Sequence, residues 1–261
     1  MLVGCRFTAL RINLLYFSHI TPLIPLLINL LDPSFPDDSV FIAASDALQE
    51  LTSKSPLSDG SGSKTLTEPL MVWFNSTGNR IVENFLANDD ISPISHSLCK
   101  LIVALGDHST SYIAQNISSV MPISTGPNTP PTTKGHLTQN FLRLLLAYTG
   151  LPGYYGVDEE ESEMTLGFWY LFQEALWSTN LYANDDGRPY SPAPEDKDTG
   201  TQPKQVLMAK AVFSELVQVL RRKVAFPPAG SGWSRGSFFH VILTFLMLTT
   251  ITPDQTEKFQ V

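Results

Sequence analysis

Apolar positions recur every three or four residues along most of the chain, and no stretch alternates apolar and polar side chains between hairpin turns. That spacing predicts an all-α protein. Residues 22–31 (PLIPLLINLL) read as a short buried helix behind Thr21, a candidate N-cap. Asp37-Asp38-Ser39 starts a second helix to about residue 54, with Phe41, Ala44, Leu48 and Leu51 in one stripe. Residues 59–65 (DGSGSKT) read as a flexible connector. A helix over 67–86 then carries Leu70, Trp73, Phe74, Ile81, Val82 and Phe85, with a bend at Gly78. Residues 91–105 place Ile94, Leu98, Leu101, Ile102 and Leu105 at helical spacing with Gly106 as their stop, and 109–117 form another short helix.

The segment 122–134 interrupts the pattern and reads as a loop, because Pro127, Pro130 and Pro131 remove backbone donors that a helix needs. Residues 137–148 resume it and end at Gly150-Leu151-Pro152-Gly153. An acidic run, Asp158, Glu159, Glu160, Glu161 and Glu163, stands directly before an aromatic helix over 164–177. Residues 182–201, rich in Pro, Asp and Gly, read as a second long loop. Pro203 opens a last helix to residue 226, with Val206, Val212, Phe213, Leu216, Val219 and Leu220 inside and Arg221, Arg222 and Lys223 near its end.

A helix, a turn, a second helix and a variable loop thus recur about four times, at roughly the 40–47 residue spacing of HEAT and armadillo units. One such pair cannot cover its own apolar face. Stacked pairs share a core and leave an extended surface for other proteins; a compact helical bundle fits the same periodicity.

The net charge of -8 argues against a phosphate-backbone binder, which needs clustered Lys and Arg, so nucleic acid is not an expected partner. It suits basic protein partners. Cys5 and Cys99 are too few and too far apart for a disulfide framework or a zinc knuckle, which points to a reducing compartment. The sequons at Asn75 and Asn116 matter only in a secreted chain. Arg6 and Arg11 interrupt the apolar residues 2–20, which therefore do not read as a secretory signal. The apolar run 238–251 is shorter than a bilayer span and contains His240, so no membrane partner is expected.

Candidate chemistry is thin. Gly232-Trp233-Ser234-Arg235-Gly236 matches the nucleophile elbow of hydrolases, but the prolines before it cannot supply the buried strand that the strained turn requires. Gly60-Ser61-Gly62-Ser63-Lys64-Thr65 lacks the glycine before the lysine of a phosphate loop. The five histidines have no metal-ligand spacing and read as capping or packing residues. Trp73, Trp169 and Trp177 read as core. No catalytic residue, metal or cofactor is expected. The acids at 158–163 have a bland reading as a solvated helix start favoured by the backbone dipole.

Four stretches carry a resemblance: residues 44–50 (ASDALQE); 96–101 (HSLCKL) with 105–108 (LGDH); 151–158 (LPGYYGVD) with 166–170 (LGFWY); and 216–227 (LVQVLRRKVAFP). Together they resemble the middle of the importin-13/transportin-SR branch of the karyopherin-β nuclear transport receptors, over about residues 21–233. The third stretch is the most specific. The resemblance implies a partial HEAT/ARM-type α-α superhelix, no enzyme activity, and a receptor that shuttles between cytoplasm and nucleus. Its implied partners are protein cargo, the small GTPase Ran and nuclear pore proteins. It also implies that Asp158, Glu159, Glu160, Glu161 and Glu163 meet basic surfaces of Ran or cargo. Members of this branch are far longer than 261 residues.

The expected organisation is an apolar segment at 1–20 foreign to the pattern, helical repeats over 21–235, an apolar insert at 236–253 that reads as a translated retained intron, and the start of a further helix at 254–261. Removing the insert joins Arg235 to Asp254 and restores the family pattern. A solenoid cut at both ends exposes apolar faces, so oligomerisation or aggregation is expected. Two other readings remain at this point: a helical scaffold or truncated product without a transport role, and a membrane-tethered serine hydrolase built on Ser234.

Overall fold

The computed structural model describes residues 21–53, 63–88, 92–123, 132–151, 160–178 and 204–223. The segments at 1–20, 236–253 and 254–261, Ser234, Asp158 and Glu159 lie outside the described residues. The chain divides into two units, Met1–Ser109 and Thr110–Val261.

In the first unit, α1 (Leu23–Leu30) follows Pro22, and no side chain caps it; Thr21 instead closes the first turn through its carbonyl, which accepts from the Ile24 N–H at 3.4 Å. The expected buried helix is buried on one side only. Ile24 is enclosed, whereas Leu23 and Leu26 are 50% and 59% exposed. Helix α2 (Asp38–Ser53) starts where the Asp37 carboxylate accepts from the Ser39 N–H at 2.9 Å. Phe41, Ala44 and Leu48 are buried as the stripe predicts, and Ser45 and Thr52 join them.

The connector ends earlier than its composition predicts. Ser63–Thr67 is already a wide π-helical turn, because Leu66 is driven into the core and the Thr67 hydroxyl pairs with that of Ser109 at 2.9 Å. Helix α3 (Glu68–Trp73), a second π-helical turn Phe74–Gly78 and α4 (Asn79–Asn88) follow without a break. The bend expected at Gly78 is therefore an extra residue wound into the helix. The Ser76 hydroxyl donates back to the Trp73 carbonyl at 3.1 Å, and a Cβ on Gly78 would stand 3.0 Å from the Phe74 ring.

Helix α5 (Pro93–His108) packs along α2, and the buried Ser45 hydroxyl donates to the Ser97 carbonyl at 3.1 Å. Ser92 caps it, accepting from the Ser95 N–H at 3.2 Å. Gly106 does not end this helix. It is buried within it, where Leu105 and the helix hydrogen bonds outweigh the glycine penalty, and the stop falls at Ser109.

Two adjacent groups at that stop are shifted by the same cause, the burial of their charged forms. Desolvation pushes Asp107 up to about 6 and holds His108 below its ordinary value, and the His108 Nε2 is buried without a hydrogen-bond partner. A raised carboxyl pKa means that the folded state keeps a proton the unfolded state loses. Stability contributed by Asp107 is thus present at about pH 4 and lost as pH rises through about 6. A depressed histidine acts oppositely, costing stability as pH falls below its ordinary value. Asp107→Asn removes the first effect, so it should stabilise the first unit near neutral pH by about 1 kcal/mol, after allowance for solvent screening of this exposed residue, and by nothing near pH 4. Denaturant titrations at the two pH values check this.

In the second unit, α6 (Thr110–Asn116) leads into a ribbon where a plain loop was expected: β1 (Pro122–Ile123) pairs antiparallel with β2 (Thr132–Thr133). Proline is tolerated there because the ribbon is an edge. Thr133 then caps α7 (Lys134–Thr149), accepting from the His136 N–H at 3.2 Å. Helix α8 (Glu160–Met164), α9 (Leu166–Ser178) and α10 (Lys204–Lys223) complete the unit. Helix α9 packs on α6, and α10 on α7. Phe168, Phe172 and Phe213 stack in succession, with centroids 5.6 and 5.8 Å apart, tying α9 to α10. Along α10, Val206, Ala209, Leu216 and Leu220 are buried, while Val212, Phe213 and Val219 are half-buried. Arg221, Arg222 and Lys223 form the basic last turn as expected, with Arg221 and Arg222 facing solvent and Lys223 turned inward.

Among the described residues, no helix is long and apolar enough to cross a membrane.

Candidate functional site

The acids singled out in the sequence sit where α7 hands over to α8 and α9. Helix α7 ends at Thr149, and the Gly150 N–H donates back to the Leu146 carbonyl at 2.9 Å. Around Thr149 lies a buried polar cluster. Its hydroxyl is 2.7 Å from the Leu145 carbonyl, 2.8 Å from the Thr165 hydroxyl and 2.9 Å from the donating indole N–H of Trp169. The Ser162 hydroxyl donates to the Thr149 carbonyl, and the Thr165 hydroxyl to the Ser162 carbonyl, both at 2.7 Å. Thr149, Ser162, Thr165 and Trp169 are all inaccessible to solvent. Two threonine hydrogens serve three short contacts here, so the hydroxyls share them, and the cluster locks α8 and α9 onto the end of α7.

With the helices so fixed, the acidic run divides. Glu160 is exposed, Glu163 half-buried, and Glu161 buried, 7% exposed. The dipole at the start of α8 favours all three. Asp158 and Glu159 lie outside the described residues. Exposure then repeats at helical spacing through Thr165 into α9: Glu160, Glu163, Gly167, Tyr170, Leu171 and Glu174 are open or half-open, while Glu161, Thr165, Phe168 and Phe172 are covered. The Tyr170 hydroxyl donates to the Glu174 carboxylate at 2.9 Å, which raises the phenol's pKa.

Sequence reasoning missed the Thr149 cluster. Three of its members are ordinary turn residues in a sequence, and the available signal was Trp169, whose buried indole N–H needs a partner. Trp169 is core as expected, Trp73 is half-buried against Phe41 and Phe74, and the Trp177 side chain lies outside the described residues. No group of three His, Cys, Asp or Glu side chains that could hold a metal ion occurs among the described residues. Lys64 lies in the π-helical turn.

Gly167 offers a direct probe of this face, since a Cβ there would meet nothing within 4 Å. Gly167→Ala should raise stability by about 0.5 kcal/mol through the loss of unfolded-chain freedom, as thermal melting would register.

No family model matches the chain. Importin-13 of Gallus gallus is 29% identical over 136 residues, 51% of this chain and 10% of that protein. Importin-13 of Homo sapiens is 26% identical over the same length and shares. The chain therefore spans about a tenth of the length of the curated relatives it matches. Among solved structures, "Importin13 cytosolic state" superposes with a TM-score of 0.60 at 16% identity, over 89% of this chain and 24% of that one. The all-α fold thus resembles a part of the importin-13 helical solenoid, and the sequence is similar to importin-13 over half its length.

Proposed function

We propose that this chain serves nucleocytoplasmic transport as part of a karyopherin-type receptor, binding protein cargo and Ran in its GTP form, with nuclear pore proteins as further partners. The observation that carries the reading is the joint likeness to importin-13, in sequence over half the chain and in fold over most of it. Its work is recognition, with no covalent chemistry, in cytoplasm and nucleus. The proposed partner contacts are Asp158, Glu159, Glu160 and Glu163, which oppose basic surfaces; Glu161, being buried, contributes by seating α8.

Retention of the full chain on immobilised Ran locked in its GTP form, at low salt, tests the proposal. Binding that weakens when Glu160 and Glu163 are both changed to Lys is expected. Failure to retain either Ran-GTP or basic cargo would leave a helical scaffold without a transport role.

A further inference from the structure

We propose that the exposed strip along α8 and α9 is a docking face for an amphipathic helix of a partner protein that carries Lys and Arg beside a row of aliphatic side chains. The proposal rests on the partner-binding reading of the acidic run and extends it onto α9, which that reading does not include.

Helix α8 ends at Met164 and α9 begins at Leu166, with the single turn residue Thr165 between them donating its N–H to the Ser162 carbonyl at 3.3 Å, and exposure keeps its helical spacing across this turn. Glu160, Glu163, Gly167, Tyr170, Leu171 and Glu174 consequently fall on one side, opposite Thr165, Trp169, Phe172 and Leu176. The strip is about 21 Å long at 1.5 Å per residue, enough for several helical turns of a partner.

Its chemistry is directional. No Lys, Arg or His occurs between residues 160 and 178, so three carboxylates act on the strip without an internal counter-charge from these helices. Tyr170, 46% exposed, and Leu171, 36% exposed, flank the row of carboxylates with an aromatic face and an aliphatic end. Gly167 in the middle row is open above its Cα, which leaves a notch where a partner's backbone or side chain can approach closely. A cation set over the Tyr170 ring beside Glu174 gains both cation–π and charge-assisted contacts, a second cation meets Glu163 about three turns away, and aliphatic side chains cover Leu171. An anionic or wholly apolar partner gains neither. Spacing by three and four on the strip matches the same spacing on a helix, the arrangement in which ridges of one enter grooves of the other.

A second copy of the chain is the competing occupant, because exposed Lys204, Leu207, Met208 and Lys210 on α10 present a similar mixture. Fluorescence anisotropy with the full chain separates these. The probe is a labelled helical peptide of roughly 20 residues with leucines at every third and fourth position flanked by Lys and Arg, and its control carries Glu in their place. Binding of the basic peptide alone is expected, weakened about tenfold by combined Glu163→Gln and Glu174→Gln, further by Tyr170→Ala, and abolished by Gly167→Arg. Circular dichroism must show each variant folded, and Glu83→Gln on α4 should leave affinity unchanged. Equal binding of the acidic peptide, or full affinity in the three strip variants, would overturn the proposal. So would sedimentation showing that the chain self-associates through these same residues while the peptide goes unbound. Retention on Ran-GTP read in parallel distinguishes the two readings: Ran lost with peptide binding intact removes the transport role and keeps the face, and the reverse removes the face alone.

Discussion

Thr149→Val should destabilise the second unit by about 3 kcal/mol, because it deletes a hydroxyl on which one helix end, one turn and one tryptophan all depend. Valine fills nearly the same volume, so little of the loss comes from a cavity. The loss comes instead from the Trp169 indole N–H, left without its 2.9 Å acceptor in a site closed to water, and from the Thr165 hydroxyl, which loses its 2.8 Å neighbour. Trp169→Phe should cost less than the threonine change if the orphaned N–H is the main penalty, since phenylalanine brings no donor. The decisive measurement is the double variant. Its cost in denaturant titration should fall short of the sum of the singles by about 1 kcal/mol or more, whereas additive costs would mean the indole and hydroxyl stabilise independently. Tryptophan fluorescence provides the second readout, shifting to longer wavelength in Thr149→Val as the indole environment loosens.

Much of the fold was legible because its helices obey the period that buries them. The stripe of Phe41, Ala44 and Leu48 and the row of Leu98, Leu101, Ile102 and Leu105 follow from spacing alone. Boundaries were not legible where local and tertiary preferences disagree. Gly106 carries a stop signal, but the helix bonds around it extend to Ser109, and no rule of composition shows that burial will override glycine. The turn at Ser63–Thr67 was hidden for the converse reason: a Gly/Ser-rich run masks the single leucine that pulls its end into the core.

The acidic run shows where the reading of the candidate site stopped short. Charge density suggested one solvated patch, yet extending the aromatic helix backward by its own period puts Glu161 in phase with Thr165, Phe168 and Phe172, on the covered side. The same phase brings Tyr170 and Glu174 into line with Glu160 and Glu163. That alignment was present in the sequence and needed only a helix assumed continuous through Thr165. The Thr149 cluster differs, since its donors and acceptors meet through the geometry of a helix end that no spacing rule gives.

Gly135→Ala should cost about 2 kcal/mol, for a reason that is steric and local. Gly135 lies in the first turn of α7, where the chain returns from the ribbon and passes directly over the end of α6. Its N–H donates to the Ser119 carbonyl at 3.0 Å, and a Cβ would stand 2.6 Å from that same carbonyl oxygen. The obstacle is backbone, so no rotamer change relieves it; either the Ser119 peptide moves or α7 does. Movement of Ser119 strains the adjacent Lys134 N–H to Met121 carbonyl bond at 2.9 Å, and movement of α7 disturbs the Thr133 cap. The damage should therefore begin at the ribbon and not in the core. Hydrogen exchange of Gly135→Ala should show the amides of Lys134 and His136 losing protection first, with those of Leu142 to Leu146 changing only by the global loss of stability. Uniform loss of protection along α7 would mean that the helix as a whole shifts to accommodate the methyl group, and a wild-type melting profile would mean that the contact at Ser119 yields freely.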